Sequence, residues 1–365
     1  MLSLKGKGFF IWKVTNCENG DPSAIANYAQ KAGLSHVLIK IANGIYDFNY
    51  DSASKKDLVT PVAIALKDKG IQVWGWHYVF GDLPKEEARA AIRQLEKIPL
   101  DGYVIDAESE YKDKYTPCRT FLNDLRSVFP DFPIALSSFR YPKLHPQLPW
   151  KDFLIKVDIN MPQVYWEQAD NPAEQLRRSI SEFQIINPSR QIIPTGAAYA
   201  ANDWKPSIQD INDFMNAAVE MNLPAINFYS WDYCRSKLPQ IWDTIADFRW
   251  PGTINIMHEV PEVLIEGIND HNFENILYMY ASEAVLITAA ETIQGKTAIR
   301  NWYERMLNGM YKNYVFELSS IEGKDNSRHF SWTAKSSDGK NYTGKDSIGL
   351  QAGKIVYHYS SIILP

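Results

Sequence analysis

The chain has little of what would place it in a specialised class. Its 365 residues include only three cysteines, Cys17, Cys118 and Cys234. So odd and widely spaced a set fits neither a disulfide framework nor a zinc motif, so these read as free, partly buried thiols. The seven histidines are scattered, without His-x-x-x-His or Cys-x-x-Cys spacing, and no metal or other cofactor is expected. No apolar run approaches the roughly 18 residues of a membrane helix. Lys5 and Lys7 lead only into a short apolar strand, Phe9 to Trp12, with neither the long apolar core nor the cleavage site of a signal peptide. The polypeptide reads as made in the cytoplasm; release would need a non-classical route, and the final compartment is left open. There is no basic run, and the net charge is −5, so nucleic acid is not an expected partner.

What is present is material for real cores. Apolar residues make up 45% and charged residues 22%, with no signature of disorder. The length suits a barrel plus a small second domain. As far as Trp250, short β-rich runs alternate with amphipathic stretches, the pattern of βα units around a parallel sheet. Eight runs are predicted as strands: Gly8–Val14, His36–Ala42, Ile71–Phe80, Tyr103–Glu108, Ile134–Phe139, Ile159–Trp166, Ile192–Tyr199 and Ala225–Asp232. Between them, stretches such as Pro22–Ala32, Lys85–Leu95, Pro117–Val128, Pro172–Ile185 and Ser207–Met221 read as helices, several opened by proline or serine. Eight strands in about 250 residues predict a (β/α)8 TIM barrel. A doubly wound open sheet is the alternative, but no glycine-rich turn follows the first strand.

Trp250-Pro251-Gly252-Thr253 breaks the rhythm, dividing the chain into domains 1–250 and 256–365. The second part reads as α+β: a helical stretch over Glu259–Ala281, a strand at Ala284–Thr288, a helix at Lys296–Leu307, then strands near Tyr314–Ile321, His329–Ala334, Gly344–Gln351 and Lys354–Ile362. Asp338-Gly339 and Ala352-Gly353 supply hairpin turns, so a bent antiparallel sheet is expected.

The most informative stretch is Asp101-Gly102-Tyr103-Val104-Ile105-Asp106-Ala107-Glu108-Ser109-Glu110, an apolar strand ending in carboxylates. Residues two apart share a strand face, so Asp106 and Glu108 point the same way, and in a barrel the C-terminal strand ends carry the active site. Burial beside aromatic rings would raise the pKa of one carboxylic acid, leaving a proton donor next to an ionised partner. Glycosidic cleavage uses such a pair. The plainer alternative is that Asp106, Glu108 and Glu110 begin a solvated loop.

These residues carry a resemblance. Gly8-Phe9-Phe10-Ile11, the run Ala32-Gly33-Leu34-Ser35-His36-Val37-Leu38-Ile39-Lys40-Ile41-Ala42-Asn43-Gly44, Gly75-Trp76-His77-Tyr78-Val79-Phe80 and Asp106-Ala107-Glu108 resemble the opening units of glycoside hydrolase family 25 lysozymes. The acidic strand also looks like the strand-four motif of family 18 chitinases, with Val104 where those enzymes have a middle aspartate. The resemblance implies cleavage of a β-1,4-linked N-acetylated glycan, peptidoglycan or chitin-like. Glu108 would be the general acid, and Asp106 would orient an acetamido group that acts as nucleophile. One departure stands out: Phe10 occupies the first-strand position where the lysozymes carry an aspartate. A catalytically inactive sugar-binding protein is therefore a second reading, and an assembly component a third.

Other residues suit a sugar site. Sugars stack C–H faces on aromatic rings, and Tyr165, Trp166, Trp231, Trp76 and Trp12 are candidates beside the polar Asp232 and Glu110. Tyr165 resembles the chitinase tyrosine that holds the acetamido oxygen, and Asp232 the late acidic residue of the lysozymes. For each ring the alternative is filling of the barrel's layered core. Trp74 and Trp76 share one face and His77 the other, so only one set can face the interior. The second domain resembles SnoaL-like and nuclear-transport-factor-like cone domains through Tyr280-Ala281-Ser282-Glu283-Ala284-Val285-Leu286, Gly295-Lys296-Thr297-Ala298-Ile299-Arg300, Gly344-Lys345-Asp346 and Gly353-Lys354-Ile355. That resemblance implies homodimerisation, small-ligand binding or a second activity. Trp302, Tyr303, Tyr278 and Phe330 would line its pocket, with Asp270, His271 or His358 at the mouth.

Overall fold

The computed structural model of the chain describes residues 4–250, 260–323, 326–351 and 354–363, and the chain divides into two units, Met1–Trp250 and Pro251–Pro365. The expected junction at Pro251–Asn255 and the expected turn at Ala352-Gly353 lie outside the described residues. In the first unit the barrel strands are β1 (Gly6–Ile11), β2 (His36–Asn43), β3 (Gln72–Val79), β4 (Gly102–Ala107), β5 (Ile134–Phe139), β6 (Ile159–Val164), β7 (Thr195–Ala197) and β8 (Ala225–Tyr229), with short two-residue strands beside them. Each barrel strand pairs in parallel with its barrel neighbours, and β8 returns to β1, closing an eight-stranded barrel. These strands read as nearly unbroken apolar runs because both faces are covered, the inner by the barrel core and the outer by helices.

Helices α1 (Pro22–Lys31), α2 (Val59–Asp68), α3 (Pro84–Lys97), α4 (Tyr115–Val128), α5 (Trp150–Lys156), α6 (Pro172–Phe183), α7 (Ile208–Glu220), α8 (Trp231–Lys237) and α9 (Pro239–Asp247) accompany the strands. Local chemistry starts several of them. Asp21 accepts from the amides of Ser23 and Ala24 ahead of Pro22, and Ser207 forms a capping box with Asp210.

Alternation sorts the strand residues into two layers. Phe10, Leu38, Trp74, Trp76, Val104 and Met161 fill the barrel interior, whereas Phe9, Val37, Ile39, Ile105 and Phe228 pack outward against the helices. Trp74 and Trp76 therefore hold the inner face. His77, on the outer face, is buried and bonds Tyr103 Oη and the Gly44 carbonyl. Trp74 needs a glycine beside it: a Cβ on Gly102 would lie 2.4 Å from its indole.

In the second unit, α10 (Val260–Asn269), α11 (Phe273–Met279) and α12 (Lys296–Asn308) pack on a sheet of β9 (Tyr280–Ile287), β10 (Thr292–Gln294), β11 (Tyr314–Glu322), β12 (Ser327–Ser336), β13 (Asn341–Gln351) and β14 (Lys354–Ile363). Its order is β10-β9-β14-β13-β12-β11. Two expectations need correction. The single helical stretch over Glu259–Ala281 is two helices, because His271 takes a positive φ of 51° and Asn272 caps α11. The sheet is mixed rather than antiparallel, since β9 pairs with β14 in parallel. Register shifts interrupt three of its ladders, and such bulges bend strands.

Candidate functional site in the barrel mouth

The C-terminal ends of the barrel strands surround a cavity of about 320 Å³. Asp106, the penultimate residue of β4, and Glu108, just beyond that strand, both line it, as alternation requires. Facing them is an aromatic wall. Phe10, Trp76 and Tyr229 lie with ring centroids 6.0 to 6.3 Å apart, Tyr165 is 6.2 Å from Tyr229, and Trp12 stands exposed at the rim.

The two carboxylates are tied together. Gln163 of β6 donates from Nε2 to Asp106 Oδ1 at 3.0 Å and to Glu108 Oε1 at 2.9 Å. Asp106 is buried and Glu108 half-buried. Burial, reinforced by Glu108, pushes the Asp106 carboxyl well above the usual carboxylate range. Burial also raises Glu108, opposed by the hydrogen bond from Gln163. The pair thus retains a proton where free carboxylic acids have lost theirs, and that proton belongs to the two groups together.

Lys40 of β2 supplies the cavity's cation. It donates to Asn43 Oδ1 at 2.8 Å and lies 4.6 Å from the ring centroids of both Trp76 and Phe48. Burial lowers its pKa to about 8, against the attraction of Asp106 and Glu108. Strict alternation would set Lys40 beside Ala42. Instead the β2–β3 register shifts between these residues, and Asn43 lines the cavity with Lys40.

Of the residues singled out from sequence, Asp106, Glu108, Tyr165, Trp76 and Trp12 come together in this cavity. Four others do not line it. Trp166 is fully buried on the outer face of the wall, 5.3 Å from the Phe214 ring centroid, because Gln163 and Tyr165 take the inward positions and β6 ends at Val164. Trp231 is equally buried. It begins α8 rather than extending β8, and its indole donates to Glu18. Asp232, in the first turn of that helix, accepts the Trp12 amide at 2.9 Å and so anchors the end of β1. Glu110 is exposed and accepts from the Tyr78 hydroxyl. Sequence reasoning missed Gln163, Lys40, Asn43, Tyr78, Phe80, Ser137 and Tyr229 as cavity residues. For Tyr229 a signal was available, since it alternates with Asn227 along β8.

The second unit encloses a polar network. His358 Nε2 lies 3.1 Å from Asp346 Oδ2, Ser360 donates to Asp346 Oδ1 at 2.8 Å, and Tyr280 Oη joins His358 Nδ1 at 2.5 Å to Tyr303 Oη at 2.9 Å. Residues 262–358 match the family model of the SnoaL-like domain. This part of the chain is a SnoaL-like domain. Among solved structures, a protein of the SnoaL-like family from Agrobacterium tumefaciens strain C58 is 20% identical, with 29% of this chain and 95% of that chain covered and a TM-score of 0.27. An NTF2-like protein from Cytophaga hutchinsonii is 13% identical over 28% and 87% of the two chains, with a TM-score of 0.25. Another, from Burkholderia xenovorans, is 17% identical over 29% and 81%, with a TM-score of 0.26. No curated protein matches the chain.

In the SnoaL-like domain, Trp302, Tyr303, Phe330 and His358 line a void of only about 20 Å³, together with Asp346 and Ser360. Tyr278, Asp270 and His271 do not line it; Tyr278 instead lies under the Lys354 ammonium. Both nitrogens of His358 and both oxygens of Asp346 take part in the network.

Proposed function

We propose that the barrel is a glycoside hydrolase acting on a β-1,4-linked N-acetylated glycan of the peptidoglycan or chitin type, with Glu108 as general acid and Asp106 assisting. The observation that carries this reading is the carboxylate pair, a half-buried member beside a buried one, sharing a cavity with an aromatic wall. The wall offers stacking surface to sugar C–H faces, and the resemblance of Asp106-Ala107-Glu108 to the glycosidase strand-end signature points the same way. An acetamido N–H that bonds Asp106 favours its anion, so the pair's proton moves to Glu108, which delivers it to the leaving glycosidic oxygen as the acetamido oxygen attacks the anomeric carbon. Water then opens the cyclic intermediate, with Glu108 accepting its proton.

Phe10 favours a second reading. With an aromatic ring in place of the first-strand aspartate, the cavity could bind sugar without turnover. Incubating the protein with peptidoglycan and with chitooligosaccharides, and identifying released ends by mass spectrometry, separates the two: new reducing ends support the hydrolase, and retained but uncut glycan supports the binding protein. For the SnoaL-like domain we propose self-association as its contribution, a reading that rests on its family.

A further inference from the structure

Gln163 is the group that makes one unit of two carboxylates. Its strand, β6, is separated from β4 by β5, yet its Nε2 reaches both Asp106 Oδ1 and Glu108 Oε1, with Ser137 Oγ of β5 at 3.3 Å. A primary amide has two N–H donors, and each carboxylate takes one. The opposite orientation would set the amide oxygen against at least one carboxylate acceptor whenever either acid is ionised. The carbonyl oxygen of a protonated acid is its better acceptor, so donation from Gln163 to Oδ1 and Oε1 favours placing the pair's proton on Asp106 Oδ2 or Glu108 Oε2.

We propose that Gln163 is the positioning residue of the acid pair: it biases which oxygens carry the transferable proton, and by donating to both groups at once it opposes their simultaneous protonation. The kinetic consequence rests on the glycosidase reading, but the proton placement does not. A hydrogen bond donated to a carboxylate stabilises the anion. Gln163 and Lys40 of β2 therefore work against burial, while Glu110 beyond β4 works with it. The hydroxyls of Tyr78 on β3, Tyr165 after β6 and Tyr229 on β8 are further titratable groups within electrostatic reach, and burial keeps all three phenols protonated, with Asp232 acting on Tyr229 from α8.

The test is a carboxyl ¹³C NMR titration of the full chain, with the two resonances assigned through Asp106→Asn and Glu108→Gln. Gln163→Met keeps the length of the side chain and removes both donors. Its pair should titrate at higher pH than in the unsubstituted protein, by on the order of one pH unit for loss of hydrogen bonds to charged groups. Gln163→Glu preserves size and polarity and guards against a folding defect in the first variant; a third carboxylate should also move the pair upward. If the protein hydrolyses glycan, the alkaline limb of kcat should shift in the same direction in Gln163→Met. Its kcat should fall about 10-fold or more, with KM within about twofold, since Gln163 acts on the carboxylates rather than on the sugar. Natively folded variants whose carboxyl titrations coincide with those of the unsubstituted protein overturn the proposal, as does a loss carried by KM alone. Absence of hydrolysis defeats only the glycosidase reading, because the titration decides the role of Gln163 either way.

Discussion

Replacing Asp106 with asparagine should stabilise the barrel at neutral pH, and by an amount that grows with pH. The carboxyl is buried beside a second carboxylate, and its folded pKa lies above the unfolded value. The native state therefore holds a proton that the unfolded chain has released, and stability declines as pH rises from about 4 toward the raised native value. Each pH unit in that window costs about 1.4 kcal/mol. Asparagine preserves the shape, can still accept from Gln163 through its amide oxygen, and carries no charge to bury. The net upward shift already includes the opposing effects of Lys40 and Gln163, so the gain starts near zero at about pH 4 and grows with pH until the native carboxyl ionises. Urea denaturation followed by tryptophan fluorescence at several pH values between 4 and 8 measures it. The two stability curves should nearly meet at pH 4 and diverge upward. A constant offset across that range would refute the argument, because it would mean that the carboxyl does not titrate differently in the two states.

In the SnoaL-like domain, Asp346→Ala should cost about 1–3 kcal/mol for each buried donor it orphans, at His358 and Ser360; denaturation that is unchanged would show that the network contributes nothing. Trp12→Ala, at an exposed rim position, should weaken glycan binding by roughly 2- to 12-fold, the equivalent of an aromatic contact of about 0.5–1.5 kcal/mol, with stability within about 0.5 kcal/mol of the unsubstituted protein. Unaltered affinity would remove that ring from the binding surface. Deleting residues 256–365 should lower the mass seen by light scattering by more than the deleted residues account for, whereas a full-length protein already monomeric at high concentration would rule out self-association.

The parts of this account that were legible in the sequence are those set by local periodicity. Two-residue alternation along β4 was enough to put Asp106 and Glu108 on one face, and the βα rhythm was enough to count eight strands. Alternation failed where an element stopped or slipped. Trp231 looked inward only while β8 was extended past Tyr229, and Asn43 became a cavity residue through a register shift between β2 and β3. Gln163 could not be read at all as a partner of the pair, because it lies 57 residues from Asp106 and the two meet only through the pairing of β4, β5 and β6. Asp346 and His358 meet through the pairing of β13 with β14, strands adjacent in sequence, but the register that sets them together was not read from the turn alone. The parallel pairing of β9 with β14 was likewise invisible, since hairpin chemistry speaks only for strands adjacent in sequence.

The central claim, that Glu108 is the proton donor of a glycosidase, is tested most directly by comparing turnover of the unsubstituted protein and Glu108→Gln on the same natural glycan. Glutamine retains the side-chain shape and can accept the Gln163 hydrogen bond, but it has no acidic proton. General acid catalysis contributes typically 10²–10⁴-fold, so turnover should fall by about that factor while glycan binding persists. Hydrolysis that is measurable in the unsubstituted protein and undiminished in Glu108→Gln would contradict the account.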